Sequence, residues 1–150
     1  MFNELMFILG LAHNLLLICI FYLAGIKNKN LLKKFGLAYL IIVIPLCLTN
    51  LVLSFTESKE YLTSLFLVIV LVYLCFEVTL DWVLKKDFRK DWRLLTPYLM
   101  LYFFANYALV IIVWKSNLTF GAILLTLYIT QLILNAFSHE NIRKKFFKLK

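Results

Sequence analysis

Glycine, cysteine and histidine are all scarce in this sequence, and each shortage excludes a kind of structure or site. Only four glycines occur and none forms a GxxxG motif, so close helix packing through glycine is not indicated. The three cysteines form no CxxC pair and lie inside apolar runs, where we expect them to pack as small hydrophobic side chains. Two histidines are too few for a histidine-rich metal centre. We therefore predict no metal and no cofactor.

Familiar catalytic motifs are also missing. The sequence contains no GxSxG, HExxH, P-loop or GxGxxG motif. It also contains no Gly/Ser-rich linker that would divide it into domains. No catalytic residue is predicted, and the sequence leaves open whether the protein is an enzyme.

Apolar residues are abundant: 63% of the chain is hydrophobic and 17% is aromatic, whereas a soluble domain is about half apolar. Five apolar runs approach the ~20 residues that a helix needs to cross a bilayer. They cover approximately residues 5–26, 35–55, 61–84, 97–114 and 118–137. The sequence therefore predicts an all-α membrane protein, with a bundle of five transmembrane helices in residues 1–138.

The positive charges predict how this bundle is oriented. The formal net charge is +8, but the basic residues lie between apolar runs, which favours contact with anionic lipid headgroups over nucleic acid. Of the 16 basic residues, all except Lys59 and Lys115 fall in the first and third connections or near the carboxyl terminus. By the positive-inside rule the amino terminus is outside and the carboxyl terminus is cytoplasmic. Residues 139–150 are expected to form a basic amphipathic cytoplasmic tail on a multi-pass protein of a prokaryotic plasma membrane.

Two stripes of polar residues overlap in depth. Counted from the outer end of its span, Glu77 lies ~24 Å deep, and Gln131 and Asn135 lie ~20 and ~26 Å deep. Asp81 follows Glu77 by four residues, which places both carboxylates on one face of an α-helix. A carboxylate exposed to lipid costs a few kcal/mol or more. We therefore expect Glu77 to face the bundle interior, with Gln131 or Asn135 as a hydrogen-bond partner, or to remain protonated.

Further polar residues extend this pattern towards the outer side. His13, Asn50 and Asn106 lie in the outer half or near the midplane of their spans, so a broken polar file across the membrane is expected if the helices turn these faces inward. The candidate ligand- or ion-binding residues are Glu77, Asp81, Gln131, Asn135, Asn106 and His13.

The third connection is a second candidate site. Lys86, Arg89, Lys90 and Arg93 are candidates for binding a lipid phosphate. Asp81, Asp87 and Asp91 in the same region have the loose spacing of carboxylates that hold Mg²⁺ for a diphosphate, although one helix supplies few ligands. The predicted partners are anionic headgroups on the cytoplasmic side, and either copies of this chain or another membrane subunit.

Local signals make two more predictions. Thr96 and Pro97 are typical of an N-cap and a first helical residue, so the fourth span is expected to start there. Tyr39 and Tyr98 fall near the inner membrane boundary, a depth that amphipathic rings favour.

Three functions fit these patterns. The first, which we favour, is a transporter or channel-like subunit that binds a proton, a cation or a small polar ligand in the cytoplasmic half of the bundle. The second is a membrane enzyme or binding protein for a lipid headgroup at the inner leaflet. The third is an accessory subunit, in which the polar residues only hold the assembly together.

Overall fold

The computed structural model describes residues 1–26, 28–57, 60–84 and 92–138. They form five long helices: α1 (Phe2–Gly25), α2 (Lys29–Thr56), α3 (Tyr61–Glu77), α4 (Trp92–Ser116) and α5 (Leu118–Ser138). A π-helix, Val78–Val83, continues α3 without interruption. Counting that continuation with α3, all five helices are long and apolar enough to cross a membrane, and the described ranges contain no strand. The prediction of an all-helical protein with five such helices is confirmed for this part of the chain.

Asparagine side chains begin two of the helices. The Asn28 side chain accepts a hydrogen bond of 3.2 Å from the backbone N–H of Leu31 at the start of α2. Asn117, the single residue between α4 and α5, accepts bonds from the N–H groups of Thr119 and Phe120 at 2.9 and 3.2 Å. Each side chain pairs N–H groups that have no partner within their own helix.

The turn between α4 and α5 is tight enough to require glycine. A Cβ atom added to Gly121 would lie 2.6 Å from the Cα atom of Trp114. Real Cβ atoms do not approach backbone that closely, so a larger residue would force the two helices apart.

The start of α4 differs from the prediction. The helix begins at Trp92, so Pro97 lies within it instead of starting it. Proline inside a helix lacks the N–H that would pair with the carbonyl four residues earlier, here that of Arg93, so one backbone hydrogen bond is lost. The Thr96 hydroxyl does not cap the helix; it donates to the Trp92 carbonyl at 2.9 Å.

The helices close into a ring. Each packs against its neighbours in sequence, and α5 returns to pack extensively against α1. Contacts between α1 and α4 cross the middle of the ring. All five helices therefore face a common interior.

The distribution of polar and apolar residues is inverted relative to a soluble protein. The exposed helix faces carry large apolar side chains such as Ile41, Val72 and Phe104. Exposed threonines such as Thr126 and Thr130 donate their hydroxyl hydrogens to carbonyls of their own helix. This pairing suits a surface in contact with lipid, where water is not present to bind the hydroxyl.

Aromatic residues are exposed at the ends of several helices. Tyr22, Tyr61, Trp92 and Trp114 each have at least 40% of their surface accessible. Rings with one polar group are favoured at the boundary between lipid and water. Their positions fit two boundaries, one near each end of the bundle.

Candidate functional site

The interior of the ring contains a group of polar side chains that we name the interior polar cluster. α3 supplies two members, one of them an acid, α4 supplies three, and the other three helices supply one residue each. The members are His13, Tyr39, Tyr73, Glu77, Tyr98, Tyr102, Asn106 and Gln131, and all are buried.

His13 lies where α1, α2 and α4 meet. The Tyr39 hydroxyl and the His13 Nδ1 atom are 3.1 Å apart and share a hydrogen bond. The Asn106 side chain faces the imidazole closely enough to interact with it. The Tyr73 ring packs edge-on against the imidazole, with 6.1 Å between ring centroids. Side chains from four helices therefore surround one imidazole.

Tyrosine hydroxyls connect this region to the rest of the cluster. The hydroxyl oxygens of Tyr73 and Tyr98 are 3.4 Å apart, and the rings of Tyr73 and Tyr102 are in edge contact. The Gln131 Nε2 atom donates to the Tyr102 hydroxyl at 2.5 Å, which brings α5 into the cluster.

Glu77 is the acid of the cluster. It is the last residue of α3, directly before the π-helix, and only 9% of its surface is accessible. Its charge lies within electrostatic range of three cluster hydroxyls, those of Tyr39, Tyr73 and Tyr102. π-helical turns are rare and occur frequently at functional sites. The carboxyl group is therefore inside the bundle and within electrostatic range of three phenol groups.

The predicted partners of Glu77 also gather around Tyr102. Gln131 is fully buried, and Asn135, one turn further along α5, is half-buried and interacts with the same hydroxyl. Gln131 and Asn135 therefore share a tyrosine that the sequence analysis did not include, and their predicted hydrogen bond to Glu77 stays a prediction.

Asp81 does not share the environment of Glu77. It lies in the π-helix and is half-buried. The prediction that both carboxylates lie on one face of the helix stays a prediction, because the slightly wider π-helical turn also returns the fourth following residue close to the same face. The two carboxylates differ in their burial.

The space around the cluster is filled. His13, Tyr73, Asn106 and Gln131 have no accessible surface, so no water-sized space touches them. Several of their polar atoms have no hydrogen-bond partner within the described residues: His13 Nε2, Asn106 Oδ1 and Gln131 Oε1. Each such atom costs ~1–3 kcal/mol. Native proteins keep few of them, and a group of them needs a functional or structural reason.

Asn14 and Asn50 are buried outside the cluster. Both donate an amide hydrogen to the carbonyl four residues earlier, at 2.8 Å, and both leave their Oδ1 atom without a partner in the described residues. Nearer the outer end, the hydroxyls of Ser54 and Ser64 are 2.9 Å apart. Polar groups therefore also lie between the cluster and the outer end of the bundle.

The exposed face of α3, which points away from the bundle interior, carries a shallow groove of about 350 Å³. Its lining residues are Val68, Leu71, Val72, Cys75, Phe76 and Thr79. They are mostly apolar and include no member of the interior polar cluster. The groove therefore gives no route to Glu77.

The candidate headgroup site is described only in part. Arg93 is exposed at the start of α4. Lys86, Arg89 and Lys90 lie outside the described residues. Asp87 and Asp91, the other carboxylates of the Mg²⁺ alternative, lie outside them as well. Within the described ranges, no group of three His, Cys, Asp or Glu residues is placed to hold a metal ion.

The tyrosines are the members that the sequence analysis missed. Tyr39 and Tyr98 were predicted at the inner boundary, but their side chains are 1% and 8% exposed and point into the bundle. A signal was present, because Tyr98, Tyr102 and Asn106 follow one another at intervals of four residues on α4. Gln131 and Asn135 are separated by the same interval on α5.

The fold and the cluster define a bundle of five helices long and apolar enough to cross a membrane, with an apolar exterior and a polar interior. No protein-family model, curated protein or solved structure matches the chain. The arguments about its function therefore come from its own residues.

Proposed function

We propose that the protein is a small membrane transporter or channel-like subunit that moves protons, with Glu77 as the group that binds and releases them. The observation that carries this proposal is a buried carboxyl group that lies within electrostatic range of tyrosine hydroxyls from α2, α3 and α4. Ionisable residues inside membrane spans are rare, and chains of them form proton relays.

The filled interior favours a proton over a larger ligand. A metal cation needs several oxygen atoms around a space of its own size. The fully buried members of the cluster touch no space as large as a water molecule. A proton needs no such space, because it passes along existing hydrogen bonds as each donor becomes an acceptor.

The distribution of charge supports an orientation for this activity. With the amino terminus outside and the carboxyl terminus in the cytoplasm, the connection between α1 and α2 is cytoplasmic and Glu77 lies in the cytoplasmic half of the bundle. The basic residues on that side are suited to anionic lipid.

Proton flux into liposomes tests the proposal. The purified protein is reconstituted around a pH-sensitive dye, and a potassium diffusion potential drives proton entry. We expect wild-type protein to acidify the lumen faster than empty liposomes and Glu77→Gln to remove that difference. Glu4→Gln is the matched control, because Glu4 is an exposed carboxylate near the amino end of α1 and should leave the flux unchanged. A wild-type flux equal to that of empty liposomes contradicts the proposal.

The third function, an accessory subunit, is favoured by the same dense packing. Interhelical hydrogen bonds such as that between Gln131 and Tyr102 hold membrane helices together without any transport. This alternative predicts no protein-dependent flux, and predicts that Glu77→Gln changes only the stability of the fold or its assembly with a partner.

A further inference from the structure

The imidazole of His13 is held by specific neighbouring side chains, and the proposed role of Glu77 does not involve it. The ring is completely buried on α1, with Tyr39 at one nitrogen and Asn106 facing it from α4. Counted from Phe2 at ~1.5 Å per residue, His13 lies ~16 Å from the outer end of the bundle, while Glu77 lies ~24 Å from it. The two titratable groups are therefore at different depths.

The donors and acceptors around His13 favour one arrangement of its hydrogen atoms. The Asn106 Nδ2 atom already donates to the Tyr102 carbonyl at 2.9 Å, so the Oδ1 atom remains as an acceptor. The Nε2 atom of His13 also has no hydrogen-bond partner in the described residues, and the Asn106 side chain interacts with the imidazole, as Tyr39 does. A neutral imidazole with its hydrogen on Nε2 presents that hydrogen towards Asn106 and leaves Nδ1 to accept from the Tyr39 hydroxyl.

A second proton on His13 would reverse the bond to Tyr39. The Nδ1 atom would become a donor, so the Tyr39 oxygen would have to accept and its hydrogen would come from elsewhere. Tyr39 also interacts with Tyr73 and lies within range of Glu77. Its hydroxyl is therefore in contact with His13 and within electrostatic range of Glu77.

We infer that His13 is a second proton-binding site, and that the Tyr39 hydroxyl relays protons between it and Glu77. This inference rests on the proposed function. In the transfer, the Glu77 carboxyl gives its proton to the Tyr39 oxygen while the hydroxyl hydrogen moves to His13 Nδ1. Tyr39 ends as a neutral phenol, Glu77 as a carboxylate and His13 as an imidazolium, so atoms and charge balance.

The groups described around His13 offer hydrogen bonds and no negative charge. The titratable neighbours are Tyr39 from α2 and Tyr73 from α3, and Asn106 from α4 is neutral. A proton transferred to His13 is therefore held by its interactions with Tyr39 and Asn106.

Nitrogen NMR of the histidines tests the hydrogen arrangement directly. The chain has two histidines, so His139→Gln leaves His13 as the single source of signal in protein labelled with ¹⁵N-histidine. We expect the Nε2–H tautomer, with an Nδ1 resonance that shifts when Tyr39→Phe removes its donor. An unshifted resonance overturns the relay whatever the flux experiment gives.

Flux measurements test the transfer. We expect Tyr39→Phe to lower proton flux by about a hundredfold, the lower end of what a positioned proton-transfer group contributes. Tyr107→Phe, which loses an exposed hydroxyl, should retain wild-type flux. Wild-type flux from Tyr39→Phe with loss of flux in Glu77→Gln would overturn the relay and leave the role of Glu77 intact. Absence of flux from wild-type protein would overturn both.

Discussion

Replacing Tyr102 with phenylalanine tests whether the cluster is bonded as described. The substitution keeps the ring and removes the hydroxyl that accepts from Gln131 Nε2. Tyr102 is 1% exposed and Gln131 has no accessible surface, so water cannot replace the lost acceptor without the helices moving. Because Gln131 Oε1 already has no partner in the described residues, the variant would leave the whole amide without a bond.

The expected loss of stability follows from that geometry. A buried polar group without a partner costs ~1–3 kcal/mol. Hydrogen bonds between membrane helices average only about 0.6 kcal/mol, because the unfolded helices also find partners in the membrane. We expect Tyr102→Phe to lower the free energy of unfolding by about 1–2 kcal/mol, within the lower part of the first range. Reversible unfolding in mixed micelles measures this difference.

A double-mutant cycle separates the hydrogen bond from other effects. Gln131→Leu in the Tyr102→Phe background removes the stranded amide, so it should recover part of the lost stability. Tyr107→Phe on the same helix is the matched control, since its side chain is exposed and its hydroxyl should contribute little. Equal stability of the Tyr102 and Tyr107 variants, or a further loss in the double variant, would refute the described bond.

Two other predictions concern packing and orientation. Gly121→Ala should destabilise the fold by ~1–3 kcal/mol, because the added Cβ meets the Trp114 backbone. Gly25→Ala is the control: its Cβ meets nothing within 4 Å, so it should be neutral or slightly stabilising. Thermal unfolding compares the two variants, and equal melting temperatures would contradict the tight turn. In a background without the native cysteines, a membrane-impermeant maleimide should label Glu57→Cys from outside intact cells and Asn28→Cys only after lysis. The reverse pattern would show that the orientation is opposite to the predicted one.

The number and type of the helices followed from the sequence because lipid imposes a simple requirement. A backbone that crosses hydrocarbon must pair all its N–H and C=O groups internally. A long apolar run is therefore expected to form a helix. The start of α4 was missed because proline favours the first helical position, whereas the helix begins five residues before Pro97 and accepts the loss of one backbone hydrogen bond. Helix bounds therefore depended on side-chain pairing that the apolar pattern does not contain.

The direction in which each helix faces was harder to predict. Glu77 was expected inside because a carboxylate in lipid is costly, and it is buried. No similar cost fixed the tyrosines, since a phenol suits the membrane boundary and the bundle interior equally well when a hydrogen-bond partner is present. The Tyr39 hydroxyl forms a hydrogen bond with His13, which lies on a different helix and far away in the sequence. Pairing between distant helices decided its position.

The different burial of the two carboxylates limits what the site can hold. Two neighbouring carboxylates inside the bundle would favour a divalent cation. Asp81 is half-buried, whereas Glu77 is buried and lies within electrostatic range of the cluster phenols. The interior polar cluster therefore contains one carboxyl group, whose single negative charge is neutralised by one proton. Among the ligands that the sequence left open, this arrangement favours the proton.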